Sequence, residues 1–145
     1  MHSASSLVSP LIVHPTLAAA AVLFIIAAYL LKTRRRQYFY AHYAAGILAF
    51  SMFVLAFPIG IYEVAKSGGD QVFPTVLIFH FANFFVAASL IITQSALGAS
   101  MLIFGRRRGL YAFHRRLSKY VLIVVLIQAA LGLVVLIGIL PYVFQ

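Results

Sequence analysis

Residues Leu11 to Leu31 read LIVHPTLAAAAVLFIIAAYLL, apolar throughout apart from His14, Thr16 and the helix-bending Pro15. A bilayer core is crossed by about 20 residues of α-helix, and this run has that length. An ionisable ring inside such a run is costly to keep in lipid, which makes His14 a candidate functional residue from the outset.

Three more segments repeat the pattern, at residues 38–62, 74–104 and 120–140. The whole chain of 145 residues is 64% apolar and 9% charged, with a mean hydropathy of +1.06. A domain of this size leaves much of its surface exposed, so that much apolar surface needs lipid to cover it. Main-chain groups in lipid must be satisfied within the segment, and no alternating pattern of barrel strands is present, so each segment is expected to be a helix. The expected fold is an all-α, integral membrane, up-down-up-down four-helix bundle, because short connections make sequential helices antiparallel neighbours. Residues 1–145 are expected to form one such domain, and no internal repeat is obvious. The first ten residues lack a basic start and lead directly into a span, so they do not read as a cleaved signal peptide. The sequence has no cysteine, which excludes disulfides, thiolate metal sites and covalent haem attachment.

Charge orients the spans. Ten of the eleven Lys and Arg residues lie in the first and third connections, KTRRRQ (32–37) and GRRRGLYAFHRRLSK (105–119), whereas Lys66, Glu63 and Asp70 belong to the second. The positive-inside rule then puts the first and third connections in the cytoplasm and both termini on the other side. Topology and contact with anionic lipid account for the net charge of +9, so membrane lipid is the expected partner and nucleic acid is not.

With the topology assigned, each span carries one histidine at a defined depth. His14 stands 18 residues before Lys32, about 27 Å from the cytoplasmic end of its helix. His42 follows Arg36 by six residues, about 9 Å in from the same side. His80 is near the outer start of the third span and His114 near the inner start of the fourth. Diagonal partners therefore meet at equal depth, His14 with His80 outside and His42 with His114 inside, the two levels about 18 Å apart along the helices. Two neutral imidazoles facing each other across a bundle can ligate one haem iron from both sides, which makes these four histidines candidate metal ligands for two haems. Small residues on the same faces, among them Ala18, Ala21, Gly46 and Ala49, leave room for a flat macrocycle, whereas Gly98, Gly132 and Gly138 are explained by close helix packing. Gln94 and Gln128 are expected to make interhelical hydrogen bonds. Arg34, Arg35, Arg36, Arg115, Arg116 and Lys119 crowd the inner site and are candidate contacts for haem propionates. The third span sets His80 26 residues before Arg106, about 39 Å of helix; it either ends near Gly98 or continues apolar to Phe104, and continuation is the expectation.

The His14-Pro15 pair, the basic KTRRR turn after it, His42 early in the second span, the FHF around His80, and His114 after an arginine-rich connection together resemble the cytochrome b561 family. The successive histidine spacings of 28, 38 and 34 residues are similar to those of that family's ligands. The resemblance covers Val13 to Ala129 and implies a membrane di-haem electron carrier with two non-covalent haem b groups, ligated in the pairs derived from depth. Eukaryotic members have six spans and a tryptophan after the third ligand; this chain has the four-helix core and no tryptophan, which places it nearer the four-span prokaryotic members. That implies a prokaryotic cytoplasmic membrane, a quinol or membrane-embedded redox partner, and, if the chain is an enzyme, a transmembrane electron-transfer oxidoreductase. A homo-oligomer and a haem-bearing anchor subunit of a larger dehydrogenase or reductase complex are both compatible with the sequence. A cofactor-free small transporter or scaffold is the alternative of a different class; it would be expected to show a charge or a broken helix at mid-membrane, and no charged side chain lies within the spans apart from their ends.

Overall fold

The computed structural model describes residues 5–31, 38–67, 74–105 and 107–143. It contains four helices, α1 (Ser5–Leu31), α2 (Phe39–Ser67), α3 (Pro74–Phe104) and α4 (Arg108–Val143). All four are long and apolar enough to cross a membrane. α3 runs unbroken through Gly98 to Phe104, the longer of the two paths open to it.

The fourth helix departs from expectation. It begins at Arg108, twelve residues before the apolar run, so that only residues 105–107 separate it from α3, and the chain turns at Gly105. Gly105 makes that turn at φ 79°, a conformation open to glycine. The reason lies in spacing: Leu110, His114, Leu117, Ser118 and Val121 recur every three or four residues and turn one face to the bundle, while the arginines between them point outward. Charge hides this helix start from hydropathy, but it does not prevent the helix.

α1 packs closely on α2, and α3 on α4, whereas α2 and α3 touch little. Within each pair the helices run in opposite directions. His14 meets Ala56 while His42 meets Ala28, and His80 meets Gln128 while His114 meets Gln94. α2 and α3 meet through stacked rings: Phe84 lies between Phe53, at 4.8 Å, and Phe57, at 4.1 Å, with ring planes within 8° of parallel.

A repeat that the bare sequence does not display becomes visible in the packed core. Seven and eleven residues after its histidine, each helix places two buried residues: Ala21 and Ile25, Ala49 and Phe53, Ala87 and Ile91, Val121 and Val125. At 3.6 residues per turn these offsets return to the histidine's own face. The eight side chains, with Leu117, form one cluster across the middle of the bundle. Ala87 is 0% exposed there, so a layer of apolar residues closes the centre and leaves each histidine about two turns away from it.

Candidate functional site

Two cavities lie on either side of this central layer. The first, about 390 Å³, takes its lining from the beginning of α1 and α3 and the ends of α2 and α4, and includes both His14 and His80. The second, about 420 Å³, gathers the other ends of the same helices around His42 and His114. The volumes fall in the range of about 300–1,000 Å³ typical of small-molecule and cofactor sites. No lining residue is shared, and the boundary is one helical turn thick, from Ala21 to Ile25 in α1 and from Ala49 to Phe53 in α2. His14 and the residue that faces His42, Ala28, are 14 residues apart on α1, so the two levels stand about 21 Å apart along the helix, slightly more than the depth argument gives.

The rings are held in specific ways. His14 Nδ1 lies 2.7 Å from the carbonyl oxygen of Ala56, and His42 Nδ1 lies 2.7 Å from that of Ala28. A carbonyl only accepts, so in both rings Nδ1 carries the hydrogen and donates it, and Nε2 keeps a bare lone pair. This is the arrangement by which proteins prepare a histidine for a metal, since the hydrogen bond fixes both tautomer and ring orientation. The partners of the other two rings are amides. Gln94 Nε2 is 3.2 Å from His114 Nε2, and Gln128 Nε2 is 3.3 Å from each ring nitrogen of His80.

In the second cavity the rings of His42 and His114 face each other with centroids 6.2 Å apart and planes at 82°. An imidazole nitrogen binds a metal at about 2.0–2.1 Å, and the ring centre lies about 1 Å behind it, so two rings on one metal have centroids about 6 Å apart. The observed separation therefore suits a shared metal. Among the described residues, no three metal-ligating side chains come together. A bare ion would find only two protein ligands here, whereas a metal already held within a cofactor would need no more from the protein. The donor set fits haem.

Glycines lie beside the rings, and Gly98 and Gly132, expected to serve close helix packing, do so against a histidine of the neighbouring helix. A Cβ on Gly60 would lie 2.6 Å from His14 Cε1, one on Gly132 would lie 3.2 Å from His80 Cε1, and one on Gly98 would lie 3.7 Å from His114 Cε1. At Gly46, which lines the second cavity, a Cβ would meet nothing within 4 Å. Gly60 and Gly132 thus give space to imidazole rings of the neighbouring helix, Gly98 leaves its ring at ordinary contact distance, and Gly46 borders open cavity.

The candidate propionate contacts are placed differently. Arg115, Arg116 and Lys119 are exposed, and none lines the second cavity. Helical geometry explains this: relative to His114 they are turned by about 100°, 200° and 140° around α4, away from the face that carries His114 and Val121. Arg34, Arg35 and Arg36 lie outside the described residues. The ring partners at Ala28 and Ala56 carry no sequence signal, because every residue has a carbonyl. Gln94 and Gln128 are legible as polar residues in apolar spans, and Gln128 also accepts from Asn83 at 2.9 Å across the α3–α4 interface.

Compared with protein-family models, with curated proteins and with solved structures, the chain matches none.

Proposed function

We propose that the chain is a membrane electron carrier that holds one haem b between His14 and His80 and a second between His42 and His114. The observation that carries this reading is the sorting of four histidines into two separate cavities, with the His42 and His114 ring centroids 6.2 Å apart, a separation that two rings sharing one metal would have. Bound haem would supply one-electron chemistry at its iron.

What the chain contributes is binding, orientation and exclusion of water. The carbonyls of Ala56 and Ala28 hold His14 and His42 with Nε2 directed as an acceptor. Apolar side chains dominate both linings, which keeps the surroundings of low dielectric and lets burial and nearby charge act on the potential. The layer of Ala21, Ile25, Ala49, Phe53, Ala87 and Ile91 is thin enough to keep the two sites in electronic reach and dense enough to keep water from joining them.

On this reading the exposed cations of α4, Arg115, Arg116 and Lys119, mark the cytoplasmic end, so the His42–His114 site is the inner one and electrons pass between the faces of a prokaryotic cytoplasmic membrane. A quinol or a membrane-embedded protein is the partner this arrangement suits, since the cations already serve topology and lipid contact.

The deciding experiment is a reduced-minus-oxidised spectrum of the purified chain with a pyridine haemochromogen assay. A b-type α band and two haems per chain are expected; a spectrum without that band removes the reading. Topology has its own check. Alkaline phosphatase fused after Val143 is expected to be active and a fluorescent protein fused there dark, and the reverse pattern would exchange the inner and outer assignments of the two sites.

A further inference from the structure

Each ring is held by the helix it pairs with, and the holding residue stands 14 positions beyond that helix's own histidine: Ala28 in α1, Ala56 in α2, Gln94 in α3 and Gln128 in α4. Fourteen residues make almost four complete turns, which returns the chain to the inward face about 21 Å further on. The two hairpins therefore repeat one plan with one chemical difference. In α1 and α2 the holding group is a main-chain carbonyl; in α3 and α4 it is a side-chain amide, which can present either hydrogens or oxygen.

The difference matters when a metal arrives. A neutral imidazole that ligates through one nitrogen carries hydrogen on the other, so it offers a neighbouring amide no remaining lone pair. An amide that points its NH2 at the ring must then withdraw or turn its oxygen inward. His14 and His42, held by carbonyls, need no such change. For His80 and His114 the cost depends on what else the amide is bonded to.

Gln128 is pinned. Its Oε1 accepts from Asn83 Nδ2 at 2.9 Å, and the same Nδ2 also donates to the carbonyl oxygen of Val124 at 3.2 Å. Turning Gln128 breaks the first bond, and Asn83 can follow only by giving up the second. Gln94 is not pinned in this way: its Oε1 is sealed from solvent with no hydrogen-bond partner among the described residues, so turning it loses nothing on that side.

We propose that Asn83 is a positioning residue that latches Gln128 against His80 and thereby makes the His14–His80 cavity the weaker of the two in taking up its haem, so that the His42–His114 cavity fills first. The proposal rests on the haem reading above. Asn83 lines neither cavity and acts only through Gln128.

The test is an optical titration of haem into the detergent-solubilised, haem-free chain. His42→Ala leaves the first cavity with both its histidines, and His80→Ala leaves the second. Binding by His42→Ala is expected to be weaker than binding by His80→Ala by about threefold to tenfold, the worth of one hydrogen bond. Adding Asn83→Leu to His42→Ala should recover that factor, and adding it to His80→Ala should change nothing, which also reports that the variant folds. Gln128→Leu, which removes the latched amide itself, should recover the factor as well. Equal affinities, a tighter first cavity, or no response to Asn83→Leu and Gln128→Leu would overturn the latch while leaving the haem reading in place. Absence of haem binding by both single-site chains would overturn the two together.

Discussion

His14→Ala and His80→Ala are each expected to lower the bound haem to about one per chain, and both should leave the same haem behind. The two rings come from different hairpins, but they line one cavity, and an iron left with a single protein ligand holds its cofactor weakly. The second site should survive because it shares no lining residue with the first and has the central layer between. His42→Ala and His114→Ala should give the complementary result. Redox titration makes the test stringent: each single variant should titrate in one step, His14→Ala and His80→Ala should coincide, and the double variant His14→Ala with His80→Ala should match either alone. If His14→Ala and His80→Ala instead retain different haems, the pairing is wrong. If all four variants retain two haems, these histidines are not the ligands.

Gly60→Ala should come close to His14→Ala in its effect on the first site, although it removes nothing. The new Cβ would lie 2.6 Å from His14 Cε1 and 2.7 Å from Nδ1, within the contact distance of both. The ring cannot yield easily, because its Nδ1 is tied to Ala56 one turn earlier on the same helix. Overpacking of this kind costs about 1–3 kcal/mol, which in binding terms is a loss of about fivefold to 150-fold. Against it stands the better helix propensity of alanine, about 1 kcal/mol, which acts on the helix and not on the ring. The glycines form a graded series. Gly132→Ala, with its Cβ 3.2 Å from His80, should weaken the first site less than Gly60→Ala, and Gly98→Ala, at 3.7 Å from His114, should leave the second site unchanged. Haem affinity measured for the three variants decides the matter. Equal losses from all three would mean that the glycines serve helix packing alone, and a normal first site in Gly60→Ala would remove the steric argument.

What the amino-acid sequence discloses differs from residue to residue. Four membrane-length helices follow from composition, since lipid allows a run such as 11–31 no other regular structure. The shared cavities of His14 with His80 and His42 with His114 agree with a pairing obtained from depth alone, because rise per residue is fixed and charge marks one end. The start of α4 is not legible by the same means: Arg107, Arg108, Arg115 and Arg116 interrupt the apolar run that hydropathy needs, while the helix depends only on the inward spacing of Leu110, His114 and Val121. The same outward turn explains why Arg115, Arg116 and Lys119, adjacent to His114 in sequence, are remote from its cavity.

By itself, then, the sequence determined the class of solvent, the number of membrane-length helices and the level of each ring, all of which depend on properties counted along a single chain. Tertiary structure alone decided which atoms touch the rings. The carbonyls of Ala28 and Ala56 are chemically like any others and become partners only because an antiparallel neighbour brings a histidine to them. Gln94 and Gln128 differ in freedom only because Asn83 reaches one of them. Gly60 is needed only because the His14 ring occupies the space that any side chain there would take. The inward stripe that recurs in every helix escapes inspection for the same reason: its members are alanine, valine, isoleucine, phenylalanine and glutamine, alike in position and unlike in name, and only packing against the other three helices gives them a common role.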